Sequence, residues 1–463
     1  MLRIIHKNIH LKRSLSRFSQ PLLKNEKFDL KTSNEDPSQS VTKPGKRIQN
    51  EPFIKNVYAG KYVYDYLKYP EYENNHELSI MNSVLIEPIK KLGKKSISKE
   101  AYDLYNNLSL YSSAFPKQYG GLNLNQSTST YISRLLEEYG RNGSISYGIN
   151  YIYNNELAAK SIAMYGSAEQ KSKYLTKISN GELKAAFCLN EPNNGCDPAR
   201  FQTTAEEEND GSFIINGKKG WVTLMPTLKK DDTNELVFVV FCKTLDKMDK
   251  NLASLSVFLV DKNTEGVSVK KKFPESQEFD LYEIEFNNVK VSRSSLLGSL
   301  ETGFDIATKL TENAYHLVGA LCVGMLKTSL RDVVDFCINT KRFDKSLSEF
   351  TIIKERISDI DCRLYAMESM VYMTAGIIDS FEIADIGCES ALTKIFCTES
   401  LKWGLEECLK IFATAAYSDE NNDLRLKNNL NHANILCNLL NTNDILRLHG
   451  KFFFKRITCD KII

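Results

Sequence analysis

The sequence has no long hydrophobic run and no excess of either charge. Its longest apolar stretch, at about Leu317–Leu326, falls well short of the ~20 residues that cross a bilayer, so no membrane-spanning helix is expected. Sixty basic and 58 acidic residues leave a net charge of +2, which does not indicate a nucleic-acid binder. With 42% hydrophobic residues, the 463-residue chain is typical of a globular protein of two or three packed units.

Signatures of metal and nucleophile sites are also missing. None of the 11 cysteines has CxxC spacing, and most lie in apolar segments, which favours reduced, buried thiols over a disulfide framework. The six histidines show no HExxH spacing, so no metal site is expected. The chain has no GxGxxG motif after a strand, no GxxxxGK[ST] and no GxSxG. Generic motifs therefore do not identify a reaction.

The first 25 residues differ in charge from the rest. They carry six basic residues and three serines, and the first acidic residue is Glu26. A basic start without acidic residues, interleaved with Leu and Ile, is typical of a transit peptide for the mitochondrial matrix, although a disordered basic tail has the same composition. Residues 26–50 are polar and lack periodicity. Residues 1–50 are therefore predicted to be a transit peptide followed by a linker.

Hydrophobic periodicity divides the remaining chain into three parts. The pattern is mostly helical over 51–184, changes to β-rich runs separated by turn residues over 185–298, and becomes helical again over 299–463. The sequence therefore predicts an α+β fold with an N-terminal helical domain, a central antiparallel β domain and a C-terminal helical bundle.

Two local patterns make this prediction specific. Asn216-Gly217 lies between two β-rich runs and predicts a two-residue hairpin turn, because both residues tolerate positive φ. In the C-terminal part, apolar residues recur every three or four positions and predict two helices with apolar stripes. The stripes are Ile353, Ile357, Ile360, Leu364, Met367 and Val371, and then Leu401, Leu405, Cys408 and Phe412.

A series of ordered segments over roughly 51–460 resembles the acyl-CoA dehydrogenase family. These segments are Phe115–Leu122, Gly166–Leu175, Gly181–Pro192, Gly195–Asp197, Asn216–Lys218, Trp221–Thr223 and Thr442–Arg447. Three others are most similar to the very-long-chain branch: Pro52-Phe53, Leu347–Phe350 and Met367–Gly376. Within that branch they most resemble a member that also assists assembly of respiratory complex I.

The resemblance implies a flavin-dependent reaction on an acyl-CoA thioester. In the family, a carboxylate removes the α proton while the β hydride leaves to FAD, and an electron-transfer flavoprotein then takes the electrons. Hydrogen bonds to the thioester carbonyl stabilise the developing enolate, and the amide of residue 440 is one such donor whatever its side chain. The resemblance also implies a homo-oligomer, in which a second subunit approaches the cofactor.

The resemblance assigns ten positions of this chain to FAD. Asn190 stands where the family has Thr or Ser, and Cys196 stands where it has Ser, which is a better hydrogen-bond donor. Trp221 and Thr223 match the aromatic cover of the flavin and the hydroxyl that reaches its N5 atom. The full set is Phe187, Leu189, Asn190, Gly195, Cys196, Trp221, Thr223, Phe343, Thr442 and Asp444.

The family's catalytic base is absent from its usual place. Leu440 stands at the position of the catalytic Glu, and leucine cannot accept a proton, so no catalytic residue is assigned. Glu312 lies one residue from where some members carry the base, which turns its side chain about 100° around the helix. A solvated surface carboxylate is the alternative for Glu312. His316 and His432 titrate near neutrality, but no pattern places either beside the substrate.

The family's phosphate and subunit contacts are also altered. Its Arg falls at Thr340 and the following Gly at Asp344, which leaves Arg342 as the nearby cation. Two glycines that admit the second subunit's backbone fall at Ala413 and Thr414, whose side chains would crowd that place. The sequence therefore predicts that FAD binding is weakened.

Two functions remain open. The first is a mitochondrial binding or assembly protein, around complex I, with weak or lost dehydrogenase activity. The second is an active FAD-dependent long-chain acyl-CoA dehydrogenase of β-oxidation. Loss of a general base typically costs ~10²–10⁴ in rate, which favours the first.

The basic start predicts mitochondrial import. We expect residues 1–40 to carry a fused fluorescent protein into mitochondria, because the potential, negative inside, draws in a cationic amphipathic segment. Fluorescence microscopy against a mitochondrial stain measures this. The control is the same fusion with the six basic residues of positions 1–25 changed to glutamine, which should stay in the cytosol. A cytosolic signal from the unaltered fusion would contradict the prediction.

Overall fold

A computed structural model describes most of the chain after residue 85. The predicted transit peptide and linker at 1–50, Pro52-Phe53 and Cys196 lie outside the described residues. The described ranges are 86–91, 105, 108–139, 144–195, 197–224, 235–245, 253–271, 281–380, 386–417 and 426–448.

The N-terminal part is helical, as predicted. Its helices are α1 (Gln126–Tyr139), α2 (Ser144–Asn150), a π-helical segment (Tyr151–Ala159), α3 (Lys160–Tyr165) and α4 (Ala168–Ser179). A capping box begins α4, since the Ser167 hydroxyl accepts from the Gln170 amide and the Gln170 side chain accepts from the Ser167 amide. Gln170 Nε2 also donates to the carbonyls of Ser294 and Leu296, at 2.8 and 2.9 Å. The cap thereby ties the helical part to the end of the sheet.

The π-helical segment is anchored by a buried carboxylate. Glu156 accepts hydrogen bonds from Ser129 at 2.7 Å, Gln126 at 3.2 Å and Lys160 at 3.0 Å. Burial opposes ionisation of Glu156, but the Lys160 ammonium and these hydrogen bonds outweigh it and hold its pKa below the usual value. The charged carboxylate therefore fixes the segment against α1.

Seven strands form one sheet within the described residues. The strands run in the order β1-β4-β2-β3-β7-β6, with β5 on the other edge of β4. Their bounds are β1 (Leu183–Cys188), β2 (Thr204–Glu207), β3 (Phe213–Thr223), β4 (Glu235–Leu245), β5 (Ala253–Asp261), β6 (Val267–Lys271) and β7 (Leu281–Val291).

The sheet is mixed, and this differs in part from the antiparallel prediction. Four strand pairs are antiparallel, but β1 and β2 both run parallel to β4. Parallel neighbours need a long crossover rather than a tight turn, and the chain between β1 and β4 supplies one because it includes β2 and β3.

The predicted hairpin turn at Asn216-Gly217 was wrong. β3 continues through both residues and pairs with β7, with a register shift between Ile215 and Gly217 that marks a bulge. A Cβ on Gly217 would lie 2.6 Å from Thr203 Cα, so glycine is needed here for close backbone approach. Asn216 Oδ1 accepts from the Asn288 amide at 2.7 Å. Pairing with β7 therefore overrides the local turn preference.

Among the described residues, four helices build the C-terminal bundle. They are α5 (Gly303–Asn339), α6 (Thr351–Ser380), α7 (Gly387–Phe412) and α8 (Leu426–Asn438), with a hairpin of β8 (Lys341–Arg342) and β9 (Lys345–Ser346) between α5 and α6. α5 packs against α1 and against the other three bundle helices. The apolar stretch Leu317–Leu326 is buried in α5, and the four residues of the second predicted stripe are buried in α7. The α+β fold and its order of helices, sheet and bundle are confirmed.

No helix among the described residues combines the length and the apolar character that a membrane span requires.

The bundle carries a strained residue at the end of α7. Ala413 has φ 50° and ψ −129°, and its side chain is exposed. Only glycine adopts this backbone conformation readily, and other residues pay about 1–3 kcal/mol. The backbone at Ala413 therefore has a conformation that suits glycine, the residue that the family resemblance places there.

This strain predicts that Ala413→Gly stabilises the protein. We expect the free energy of unfolding to rise by about 1 kcal/mol, because relief of the backbone exceeds the entropy that glycine costs. Denaturant unfolding measures the change. The matched control is Ala416→Gly in the same turn, where the methyl group is buried and φ is not positive, so the variant should be less stable. Equal destabilisation by both changes would contradict the prediction.

Candidate functional site

One cleft collects residues from all three parts of the fold. It encloses about 300 Å³ of empty space, part of it open to solvent. The π-helical segment, the end of β1, β3, α5 and the loop after α8 all reach it. Its lining residues are Tyr153, Phe187, Leu189, Asn190, Gly220, Trp221, Thr311 and Leu440.

The side of the cleft formed by Phe187, Leu189, Asn190, Gly220 and Trp221, here called the sheet wall, is held by a buried ion pair. Lys219 is fully buried and donates to the Leu189 carbonyl at 2.9 Å and to the Glu191 carboxylate at 3.2 Å. Glu191 also accepts from the backbone amides of Gln202 and Thr203, at 2.7 and 2.8 Å. Burial opposes ionisation of Glu191, but Lys219 and the two amides hold its pKa below the usual value. The pair fixes the backbone that carries Leu189.

Trp221 lies at a bulge in β3. The pairing of β3 with β7 shifts register between Lys219 and Val222, and Trp221 adopts a left-handed conformation with φ 58°. Its side chain lines the cleft and remains 48% exposed. A bulge commonly re-aims a side chain next to a functional site, and here it places an indole ring at the cleft.

The sheet wall fits a flavin. The hydroxyl of Thr223 is buried and has no hydrogen-bond partner among the described residues, so it can bond to a ligand. Thr223 lies two residues after Trp221 on β3 and is not itself part of the cleft lining. Phe187, Leu189 and Trp221 supply the apolar and aromatic surface of the lining, and Phe187 packs against Phe241 at a ring-centroid distance of 5.0 Å. A planar ring with hydrogen-bonding atoms at its edge matches this surface.

A second buried lysine holds the side of the cleft formed by Thr311 and Leu440, here called the bundle wall. Lys394 of α7 is fully buried and donates to the carbonyls of Cys437 and Asn441 and to the side chain of Asn443. These bonds hold both ends of the loop that carries Leu440, which has a left-handed φ of 64°. The loop therefore presents Leu440 to the cleft in a defined conformation.

Leu440 meets the π-helical segment across the cleft. Its backbone amide donates to the Tyr153 hydroxyl at 3.3 Å. Asn441 Nδ2 next to it donates to the Tyr315 hydroxyl at 2.6 Å. The amide that the family resemblance assigns to the thioester carbonyl is thus already paired.

The described residues that line the cleft include no carboxylate, histidine or amine. Their side chains are apolar or neutral, and burial raises the pKa of Tyr153 to about 12, so its phenol stays protonated at neutral pH. None of these groups can take a proton from a carbon acid near pH 7.

Glu312 does not reach the cleft. Its carboxylate lies against Gly387, the first residue of α7, where an added Cβ would be 2.4 Å from Glu312 Oε1. The positive end of the helix dipole favours a carboxylate at this place. Glu312 therefore faces α7 and is not part of the cleft lining.

His316 is buried away from the cleft. Both of its ring nitrogens lack a hydrogen-bond partner among the described residues, and burial lowers its pKa to about 3. The imidazole is therefore neutral at pH 7, and His316 is not part of the cleft lining. His432 lies half-buried on α8 and does not line the cleft either.

Five described residues assigned to FAD are absent from the cleft lining, and Thr223 is one of them. Gly195 is surrounded by open space, because no atom of the described residues would lie within 4 Å of a Cβ added to it. Phe343 is 91% exposed in the β8–β9 hairpin. Thr442 Oγ1 accepts from the Ile445 amide at 3.3 Å and caps the helical turn at 443–448, where exposed Asp444 pairs with Arg447.

The cleft also contains residues that sequence reasoning missed. Tyr153, Gly220 and Thr311 were not assigned to it. Gly220 lies in β3 and Thr311 in α5, within the regions predicted as β-rich and helical, and no motif marks either residue. Tyr153 reaches the cleft from the π-helical segment, whose register cannot be read from α-helical spacing.

Comparison with family models covers all three parts of the chain. Residues 80–182 match the N-terminal domain of acyl-CoA dehydrogenase, residues 186–289 match the middle domain, and residues 301–437 match the C-terminal domain.

Curated relatives agree with these matches. The human mitochondrial very long-chain specific acyl-CoA dehydrogenase is 26% identical over 439 residues, which cover 90% of this chain. This chain spans 64% of the human protein's length. The 3-(aryl)acrylate reductase of Clostridium sporogenes is 31% identical over 306 residues, covering 65% of this chain and 76% of the reductase.

Solved structures show the same fold. Butyryl-CoA dehydrogenase from Megasphaera elsdenii superposes with a TM-score of 0.70 at 23% identity, covering 80% of this chain and 96% of that one. An FAD-complexed acyl-CoA dehydrogenase from Bacillus anthracis gives a TM-score of 0.71 at 22% identity, covering 87% of this chain and 70% of that one.

The buried His316 predicts that stability falls in mild acid. Its pKa is about 3 in the folded state and about 6.5 when unfolded, so the unfolded chain binds the extra proton between these values. Well above pH 6.5 the imidazole is neutral in both states, and the protein has its full free energy of unfolding. Below that pH the free energy of unfolding falls, and His316 accounts for about 2 kcal/mol of the loss at pH 5. Denaturant unfolding from pH 7 to 5 should show a shallower decline for His316→Gln. Parallel profiles for the parent and the variant would contradict the prediction.

Proposed function

Because the chain belongs to the acyl-CoA dehydrogenase family, we propose that it binds FAD and acyl-CoA but has weak or no α,β-dehydrogenase activity. In this proposal it acts in mitochondria as a binding or assembly protein. One observation carries the proposal: Leu440 stands where the family's base belongs, and the described lining of the cleft offers no group to replace it.

The sheet wall would hold the flavin. Phe187, Leu189 and Trp221 would supply the apolar surface, and the Asn190 amide would supply hydrogen bonds. The Thr223 hydroxyl, two residues after Trp221 on β3, has no partner among the described residues and would be a further hydrogen-bonding group. When bound, FAD supplies an acceptor for the hydride that leaves the β carbon of an acyl thioester. Removal of the α proton is left to the protein.

The bundle wall does not perform that proton transfer. Leu440 offers a methyl-terminated side chain, and Tyr153 keeps its own proton at neutral pH. A thioester can be oriented in such a cleft while its α proton remains in place. The expected cost of the missing base is ~10²–10⁴ in rate.

Weak retention of FAD is part of the proposal. A charged contact to phosphate contributes roughly 1.5–3 kcal/mol, and Thr340 cannot supply the one that the family's Arg makes. Ala413 and Asp344 have positive φ but carry side chains where the family has glycine. Ala413 and Thr414 stand where the resemblance has the two glycines that admit a second subunit's backbone, so their side chains would crowd that approach.

Location and partners are proposed on separate grounds. The human relative is a mitochondrial protein by its name, and the basic start of this chain agrees with import into the matrix. A relative from Acetobacterium woodii is named as a subunit of a caffeyl-CoA reductase–Etf complex, which supports an electron-transfer flavoprotein as partner of any active form. Exposed Ile338, Phe343 and Ile352 around the β8–β9 hairpin support a homo-oligomer. Assembly proteins of complex I are the proposed partners of the inactive form.

The proposal predicts little flavin and little flavin reduction. After extensive dialysis we expect less than one FAD per chain, measured from the visible absorbance of the purified protein. With excess FAD restored, addition of palmitoyl-CoA should leave that absorbance nearly unchanged, because no base removes the α proton. One tightly held FAD per chain, bleached rapidly by palmitoyl-CoA, would restore the enzyme interpretation.

Restoring the carboxylate should restore chemistry. Leu440→Glu together with Asn441→Gly, which frees the local backbone, should raise the rate of flavin reduction by palmitoyl-CoA by about 10²-fold or more once FAD is loaded. The matched control is Leu440→Gln with Asn441→Gly, which has the same shape and no base. Equal rates in the two variants would show that the base is not what the cleft lacks.

A further inference from the structure

The Tyr153 hydroxyl occupies an unusual position in the cleft. It comes from the π-helical segment, lines the cleft, and lies 3.3 Å from the backbone nitrogen of Leu440 on the opposite wall. The Leu440 amide donates and the hydroxyl oxygen accepts. The bond therefore uses a lone pair of Tyr153 and leaves its proton for another partner.

No acceptor for that proton lies among the described residues. The bond from Leu440 is the hydrogen bond that Tyr153 makes there, and burial raises its pKa to about 12, so the proton stays in place. A hydroxyl that accepts one hydrogen bond becomes a stronger donor in the next. Tyr153 is thus a polarised donor at the cleft.

The other groups that line the cleft determine which kind of ligand atom can accept a hydrogen bond from Tyr153. The Thr311 hydroxyl donates to the Ala307 carbonyl at 2.9 Å, and the Gly220 amide donates to the Asn190 carbonyl at 3.0 Å, so both protons are used. The Asn190 amide side chain and the Tyr153 hydroxyl remain, among apolar and aromatic groups. Neutral donors in an apolar cleft suit a carbonyl oxygen better than a free anion or cation.

We propose that Tyr153 donates to the carbonyl oxygen of an acyl thioester bound in the cleft. The Leu440 amide then acts through Tyr153, and the hydroxyl holds the carbonyl in its place. This inference rests on the proposed function, which supplies acyl-CoA as the ligand, and it assigns the carbonyl contact to a residue that sequence reasoning did not mark.

The test pairs a change in the protein with a change in the ligand. FAD-loaded protein is titrated calorimetrically with palmitoyl-CoA and with hexadecyl-CoA, a thioether that lacks the carbonyl. Tyr153→Phe should weaken palmitoyl-CoA binding by about 2- to 10-fold, the range for one hydrogen bond, and should leave hexadecyl-CoA binding unchanged. The difference between the ligands isolates the hydroxyl–carbonyl contact from packing.

The control is Tyr315→Phe, which removes the hydroxyl bonded to Asn441 on the same loop but outside the cleft lining. It should change both ligands equally or not at all. The proposal is overturned by equal losses for both ligands in Tyr153→Phe, by tighter palmitoyl-CoA binding in that variant, or by a parent that binds neither ligand. The flavin spectrum is recorded in each titration, and bleaching by palmitoyl-CoA counts against the proposed function alone.

Discussion

A buried ammonium group must be satisfied by hydrogen bonds, and this constraint fixes both walls of the cleft. Removing an amine from water costs several kcal/mol unless acceptors surround it. Lys219 finds them in the Leu189 carbonyl and Glu191 behind the sheet wall. Lys394 finds them in the Cys437 and Asn441 carbonyls behind the bundle wall. Neither wall can move without leaving a cation unpaired in the interior.

Because the buried lysines bond mainly to the backbone, the shape of the cleft does not depend on which side chains carry out its chemistry. Lys394 holds the loop around Leu440 through backbone carbonyls and one side chain outside the cleft, so the loop keeps its conformation whatever residue 440 carries. Trp221 and Ala413 likewise keep left-handed backbones that strained residues adopt only when the surroundings impose them. A cleft of the family's form can therefore persist around a side chain that transfers no proton.

The fold could be predicted from the sequence because periodicity reports burial directly. The stripes in α6 and α7 and the change of period near residue 185 required no knowledge of distant contacts. Asn216-Gly217 was misplaced because its local preference competes with pairing to β7, which lies some seventy residues on. Glu312 and His316 needed the structure, since only packing shows that one faces α7 and the other is buried.

The position of Tyr153 could not be predicted from the sequence for a different reason, the winding of its helix. Tyr151–Ala159 form a π helix, in which each backbone hydrogen bond spans one more residue than in the α helices on either side. Deleting a single residue there would let the segment rewind as α helix and rotate what precedes it by about 100°. The hydroxyl at the cleft would then turn elsewhere although every lining residue of the sheet and bundle stayed the same. What this cleft can bind thus depends on the length of the chain at one point as well as on its composition.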